Sequence, residues 1–240
     1  MNIKLMNKIA KVGTAVFDGK YTVGEDVAAP DAIMVRSAKL HDMPLNPELL
    51  AIARCGAGVN NIPVEKCAEA GVVVFNTPGA NANAVKELAV CALLLASRGI
   101  VDGINWAKAV ENRADIAKEV EAGKGAFAGC EIAGKTLGVI GLGAIGGMVA
   151  NAANALGMQV IGYDPFLSVT NALHLSRAVT LASGYDEIFA KCDYITLHVP
   201  ATKDTKGFIN KAALAAMKNG VRIINLARAE LVDSDAMKAA

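Results

Sequence analysis

Gly134-Lys-Thr-Leu-Gly-Val-Ile-Gly-Leu-Gly-Ala-Ile-Gly146, followed by Gln159-Val-Ile-Gly-Tyr-Asp-Pro165, decides the fold class of this chain. An apolar strand runs into Gly141, Gly143 and Gly146, spaced as GxGxxG, and a helix of small residues from Met148 to Leu156 follows. Asp164 closes a second apolar strand 18 residues after the last glycine. That layout is a dinucleotide-binding βαβ crossover. Gly141 suits the tight turn out of the strand, Gly143 lets the main chain approach a pyrophosphate, and Gly146 lets the helix lie close to the sheet. The pyrophosphate would sit on free N–H groups at the positive end of the helix. A carboxylate at Asp164 would accept hydrogen bonds from the adenosine ribose and repel a 2′-phosphate, so NAD is the expected cofactor rather than NADP. Neither Tyr163 nor Pro165 supplies a compensating cation.

Working outward, 53% hydrophobic residues in 240 are enough for a sizeable core and one or two domains. Twenty-four basic against 23 acidic residues give a formal charge of +1 with no long run of either sign, so neither nucleic acid nor a membrane surface is an expected partner. Five cysteines (Cys55, Cys67, Cys91, Cys130, Cys192) stand far apart with no CxxC pair and no histidine at ligand spacing. They read as reduced thiols, with no metal site and a cytoplasmic location. The first 20 residues carry scattered lysines and no sustained apolar core, unlike a secretory signal. The apolar run Leu88 to Ala96 is about half the length that spans a bilayer.

Short apolar runs alternate with helical patterns throughout, which predicts an α/β protein with parallel sheets. In the first part, Ile33 to Ser37 reads as a strand ending in a polar loop. Leu49 to Ala53 fits a helix end or the next strand, and Val72 to Phe75 reads as a buried strand. Asn76-Thr-Pro-Gly-Ala-Asn-Ala-Asn83 is a turn-rich break, which places the expected boundary between residues 83 and 84. From Ala84 a helix is expected with Val85, Leu88, Ala89, Ala92, Leu93 and Ala96 on one face. A second, more charged helix and a glycine-containing loop are expected over 105 to 130. Beyond Asp164 the pattern predicts a polar helical stretch, a helix around Asp186 to Ala190 and a strand Tyr194 to Val199. A helix Lys211 to Met217, a strand Val221 to Leu226 and a helix starting near Ser234 complete the chain.

Several ordered motifs together resemble the D-isomer-specific 2-hydroxyacid dehydrogenases, in particular those acting on D-3-phosphoglycerate in serine synthesis. They are Val35-Arg-Ser37, Ala53-Arg-Cys-Gly-Ala-Gly-Val-Asn-Asn-Ile-Pro63, Asn76-Thr-Pro-Gly79, the Gly134 to Gly143 stretch, His198-Val-Pro200 and Asn225-Leu-Ala-Arg-Ala-Glu-Leu-Val-Asp233. The resemblance implies a flavodoxin-like substrate domain and a Rossmann-type NAD domain with the substrate in the cleft between them. It also implies a homodimer formed through the dinucleotide domain, and hydride transfer between nicotinamide and C2 of a 2-hydroxy acid.

Arg228 matches the family arginine that binds the substrate carboxylate and keto oxygen, and a planar guanidinium suits that role better than lysine. The family usually has glycine at the position of Ala229, which leaves open how closely this loop meets the substrate. Arg36 and Arg54 are either ligands for a substrate phosphate, as the resemblance implies, or solvated loop arginines. With them, Ser37 and the loop carrying Gly56, Gly58 and Asn60 are the implied substrate-binding residues. Ala57, Val199, Leu226 and Ala227 are implied by the same resemblance to line the nicotinamide side, and Ala144 with Ile145 to touch the pyrophosphate. His198 is not assigned the acid/base role, because it belongs to the His-Val-Pro segment beside the cofactor and fits a packed or capping histidine. In the family a glutamate and a Pro-His-x-Gly histidine follow the arginine loop, whereas Ala240 comes 12 residues after Arg228. The expectation is therefore a truncated chain with impaired proton transfer, the alternative being a non-catalytic NAD(H)-sensing, corepressor-like interaction protein of the same superfamily.

Overall fold

The computed structural model describes all residues from Met1 to Ala240, and they form two compact units, Met1–Asn81 and Ala82–Ala240. The division falls two residues before the expected 83/84 boundary because the first long helix already begins at Ala82.

The first unit holds five parallel strands: β1 (Asn2–Met6), β2 (Thr22–Gly24), β3 (Ala32–Val35), β4 (Ala51–Arg54) and β5 (Val73–Asn76). Their spatial order is β2-β1-β3-β4-β5, the flavodoxin-like doubly wound order. Two short helices belong to it, α1 (Lys11–Thr14) and α2 (Val64–Glu69). Ile33, Val35, Leu40, Leu49, Ile52, Ile62, Cys67 and Val72 make its core. Strands β1 and β2 escape the sequence pattern, since Asn2 and Lys4 interrupt the apolar residues of one and the other spans three residues. The expectation of a buried strand at Val72 to Phe75 is corrected: Val72 is buried, but Val73 and Phe75 are 52% and 57% exposed. Strand β5 pairs only with β4, so an apolar run that looks central in sequence lies at a sheet edge.

The second unit opens with α3 (Ala82–Ser97), α4 (Ile100–Val110) and α5 (Ile116–Gly123), then a 3-10 turn at Lys124–Phe127. Two helices thus replace the single one expected over 105 to 130, with Trp106 against Phe127 at 5.4 Å between ring centroids. The predicted face of α3 is partly corrected, as Ala89 and Leu93 are buried but Leu88 and Ala96 point to solvent.

Five parallel strands follow: β6 (Thr136–Ile140), β7 (Gln159–Tyr163), β8 (Val179–Leu181), β9 (Tyr194–Leu197) and β10 (Arg222–Asn225). Their order is β10-β9-β6-β7-β8. The connecting helices are α6 (Ala144–Ala155), which begins four residues earlier than expected, α7 (Val169–Leu173), α8 (Tyr185–Lys191) and α9 (Lys211–Ala215). A 3-10 turn at Ala229–Leu231 precedes α10 (Ser234–Ala239).

Alternation along β6 explains its unbroken apolar sequence. Leu137 and Val139 join Ala89, Leu93, Val149, Ala153 and Val160 in the core under α3 and α6. Ile140 faces the other way, into the core with Ile188, Phe189, Ile195, Leu197 and Leu231 under α8. A parallel strand covered on both faces needs apolar residues at every position, each fully buried one contributing roughly 1.5–3 kcal/mol. Gly138 fills the remaining place, where a Cβ would stand 2.5 Å from Ile188 Cγ2 and 2.9 Å from Cys192 Sγ. Its absence lets α8 lie close to the sheet.

Candidate active site

Strand order reverses at β6, which has β7 on one side and β9 on the other. In open α/β sheets, ligands bind outside the carboxyl ends of the strands at such a reversal. Here that position is occupied by the glycine turn. Gly141 has φ +92, and a Cβ on it would lie 2.7 Å from the His198 carbonyl oxygen and 2.9 Å from Val199 Cγ1. Glycine is required there on both counts. A Cβ on Gly146 would collide with the Gly141 carbonyl oxygen, so this residue lets α6 start directly over the turn. Gly143, by contrast, faces open space within 4 Å. No side chain caps the first turn of α6, so its N–H groups remain available to an anion.

Asp164 follows the end of β7 and is tied to this turn. Its Oδ2 accepts the Leu142 N–H at 2.9 Å, and Oδ1 accepts the Phe166 N–H at 2.9 Å. Leu142 is fully buried, with its methyls against Gly162 of β7. The turn is therefore held from below by packing and from the side by the carboxylate. Beside it, the Tyr163 and Tyr185 rings meet edge-on at 4.8 Å, and burial raises the Tyr185 hydroxyl pKa, reinforced by Tyr163 and Asp164. The residues present thus fit a dinucleotide: open space at Gly143, uncapped N–H groups, and an acid at the ribose position. Ala144 is exposed at the start of α6 and Ile145 is half-buried.

His198 follows β9 directly, and its Nε2 lies 3.0 Å from Thr196 Oγ1. Burial pushes its imidazole down to about 4. A ring held neutral beside the cofactor turn is a packed histidine, and a poor proton carrier near neutral pH.

Arg228 lies on the loop that leaves β10, again at a carboxyl end. It is exposed, and its Nη1 donates to the Ala227 carbonyl at 2.9 Å. Leu226 and Ala227 are half-buried against the two cores of this unit. Ala229 lies in the 3-10 turn, and no non-glycine residue in this loop has positive φ. Alanine therefore meets no backbone conflict where glycine is usual.

In the first unit Arg36, Arg54, Cys55, Gly56, Thr77, Ala80 and Asn81 line one concavity of about 510 Å³. Arg36 follows β3, Arg54 ends β4 and Thr77 follows β5, so three adjacent carboxyl ends supply it. Arg54 folds across Gly56, where a Cβ would overlap its guanidinium, and its Nη1 donates to the Cys55 carbonyl at 3.3 Å. Ser37, Gly58 and Asn60 do not line this concavity. Ser37 instead gives its N–H to Asn7 Oδ1 at 2.8 Å, which also takes the Ala38 N–H. The exposed Ala57 accepts Asn76 Nδ2 at 2.7 Å through its carbonyl.

Sequence reasoning gave four asparagine side chains no role: Asn7, Asn76, Asn81 and Asn225. Asn76 stood in a family motif and, with Asn81, in a turn-rich break, neither of which gave its side chain a role. Asn7 adopts φ +73, the single positive value outside glycine, and one asparagine after a lysine-bearing segment carries no local signal of that. All five cysteines are free thiols, and no cluster of three or more His, Cys, Asp or Glu could hold a metal. No helix is long and apolar enough to cross a membrane.

Residues 90–240 match the family model described as D-isomer specific 2-hydroxyacid dehydrogenase, NAD binding domain. Among curated relatives, D-3-phosphoglycerate dehydrogenase of Mycobacterium leprae is 40% identical over 214 residues, covering 88% of this chain and 38% of the relative. Hydroxypyruvate reductase of Thermotoga maritima is 38% identical over 237 residues, covering 97% of this chain and 72% of the relative. The structure of NAD+-bound 3-phosphoglycerate dehydrogenase from Entamoeba histolytica superposes with a TM-score of 0.71 at 26% identity, covering 99% of this chain and 75% of that one. The chain thus spans 38% of the length of the first phosphoglycerate dehydrogenase relatives.

Proposed function

Since the chain belongs to the D-isomer specific 2-hydroxyacid dehydrogenases and carries their NAD-binding domain, we propose that the protein oxidises D-3-phosphoglycerate to 3-phosphohydroxypyruvate with NAD. The observation that carries the choice of substrate is the pairing of Arg36 and Arg54 in one concavity of about 510 Å³. Two guanidinium groups at one place suit a phosphate, whereas an unphosphorylated small acid has no use for the second. When bound, NAD supplies the nicotinamide that accepts the hydride from C2. The protein's own residues bind and orient. Gly141, Gly143, Ala144, Ile145 and Gly146 present the turn and helix end to the pyrophosphate, and Asp164 takes the ribose hydroxyls. Val199, Leu226, Ala227 and Ala57 contact the nicotinamide side. Arg228 binds the carboxylate and polarises the C2 oxygen, with Ser37, Gly56, Gly58 and Asn60 as further substrate ligands.

The relative named hydroxypyruvate reductase supports a second reading, in which the substrate is glycerate or hydroxypyruvate without the phosphate. Initial rates of NADH formation separate the two. Arg36→Ala and Arg54→Ala are expected to raise KM for D-3-phosphoglycerate about tenfold to a hundredfold each, while leaving D-glycerate oxidation within about twofold. Equal effects on both acids would sink the phosphate reading.

The protein acts as a homodimer assembled through its second unit in this proposal. Leu88, Leu95, Val101, Ile104, Ile116 and Val120 of α3, α4 and α5 are all exposed there, and a partner copy covering them would remove apolar surface from water. A cytoplasmic location accords with five free thiols.

A further inference from the structure

Strand β10 ends at Asn225, whose Cα is in register with Leu197 of β9. From there the chain must turn within three residues to present Arg228. The Asn225 carboxamide closes that turn. Its Oδ1 accepts the Ala227 N–H at 3.1 Å and its Nδ2 donates to the Arg228 carbonyl at 2.7 Å. The same Arg228 carbonyl also accepts the Leu231 N–H at 3.3 Å, the first bond of the 3-10 turn.

Beyond that turn the chain is anchored independently. Leu231 is fully buried, Gly207 N–H donates to the Glu230 carbonyl at 2.7 Å, and Ile209 N–H to the Leu231 carbonyl at 3.1 Å. Asp233 N–H returns to the Ile209 carbonyl at 3.0 Å. One end of the loop is therefore fixed by the sheet and the other by packing. Between them Leu226 and Ala227 pack against the two cores, and the Asn225 carboxamide is the one side chain outside the turn that bonds to the main chain at Ala227 and Arg228.

We propose that Asn225 is a positioning residue for Arg228, its carboxamide fixing the main chain from which the guanidinium projects. The inference rests on the reading of Arg228 as the carboxylate-binding group. Asparagine is suited to the place because one planar group offers an acceptor and a donor at once. Aspartate keeps the acceptor but sets a negative charge against the Arg228 carbonyl, and alanine keeps neither. Each half-exposed hydrogen bond is worth about 1 kcal/mol, enough to shift the loop population about fivefold to tenfold.

The test combines amide hydrogen exchange with steady-state kinetics on the intact protein. In Asn225→Ala, exchange at Ala227 and Leu231 should accelerate about tenfold. Binding of ADP-ribose, which has no nicotinamide to touch this loop, should stay within about twofold. KM for D-3-phosphoglycerate should rise about tenfold, more than kcat falls, because the arginine is present but misplaced. Asn225→Asp should restore slow exchange at Ala227 but not at Leu231. Unchanged exchange at both amides in Asn225→Ala overturns the proposal. So does an unchanged acid KM in Asn225→Ala when Arg228→Ala raises it about a hundredfold. If Arg228→Ala itself leaves the acid KM unchanged, the carboxylate reading of Arg228 falls, and the exchange rates still decide whether Asn225 holds the loop.

Discussion

The carboxylate of Asp164 accepts the main-chain N–H of Leu142 at 2.9 Å, so the acid proposed to take the adenosine ribose is also a strut of the glycine turn. In that proposal, recognition of the ribose and the shape of the phosphate-binding turn are coupled through one side chain. A carboxylate offers about four acceptor sites, so the two N–H bonds to Asp164 leave others for ribose hydroxyls.

Two substitutions at this position separate its roles. Asp164→Ala removes the acceptor for both Leu142 and Phe166 N–H groups, and NAD affinity should fall about tenfold to a hundredfold, with discrimination against NADP relaxed. Asp164→Asn keeps an oxygen for Leu142 and removes the charge, so NADP binding should improve with a smaller loss for NAD. Titration of both cofactors against both variants measures this. An unchanged preference would remove Asp164 from the ribose site.

The glycines of the turn should divide into structural and ligand-facing. At Gly146 a Cβ would stand 2.9 Å from the Gly141 carbonyl carbon and closer still to its oxygen, both main-chain atoms that cannot swing aside. Gly146→Ala should cost about 1–3 kcal/mol in urea unfolding as α6 is pushed off the sheet. Gly143 has φ −68 and nothing within 4 Å of its Cβ position. Gly143→Ala should leave unfolding unchanged and weaken NAD about tenfold, since the methyl enters the space meant for phosphate. Equal destabilisation by the two would contradict this division.

His198 should make stability depend on pH below neutrality. Its folded pKa of about 4 is below the ordinary value of 6.5, because burial disfavours the charged ring. Between those values the unfolded chain binds a proton that the folded protein does not, so the unfolding free energy rises with pH through this window. The contribution is complete above about pH 6.5 and lost as pH falls towards 4, on the order of 3 kcal/mol in total. His198→Gln, measured by denaturant unfolding across that range, should flatten the dependence. If the wild-type slope survives the substitution, the proton is bound elsewhere.

How much was legible in sequence differs from residue to residue. Strand β6, the glycine turn and Asp164 could be read because each requirement is local: burial on both faces demands an unbroken apolar run, and a tight turn demands glycine. Val73 and Phe75 misled because an apolar run reports hydrophobicity and not the number of neighbouring strands, and β5 has only one. Strands β1, β2 and β8 were missed because they are short or carry polar residues among the apolar ones.

The sequence by itself determined the dinucleotide turn, NAD as cofactor and the family, since these rest on residue types at fixed short spacings. Only the tertiary structure decided that Arg36 and Arg54, 18 positions apart, share one concavity, while Ser37 between them spends its N–H on Asn7. It likewise decided that the half-buried His198 is held neutral, and that the Asn225 carboxamide bonds to both Ala227 and Arg228. The reason is the order of the strands. Parallel strands bring their carboxyl ends to one edge of a sheet, and which ends become neighbours depends on long-range pairing that no local pattern encodes.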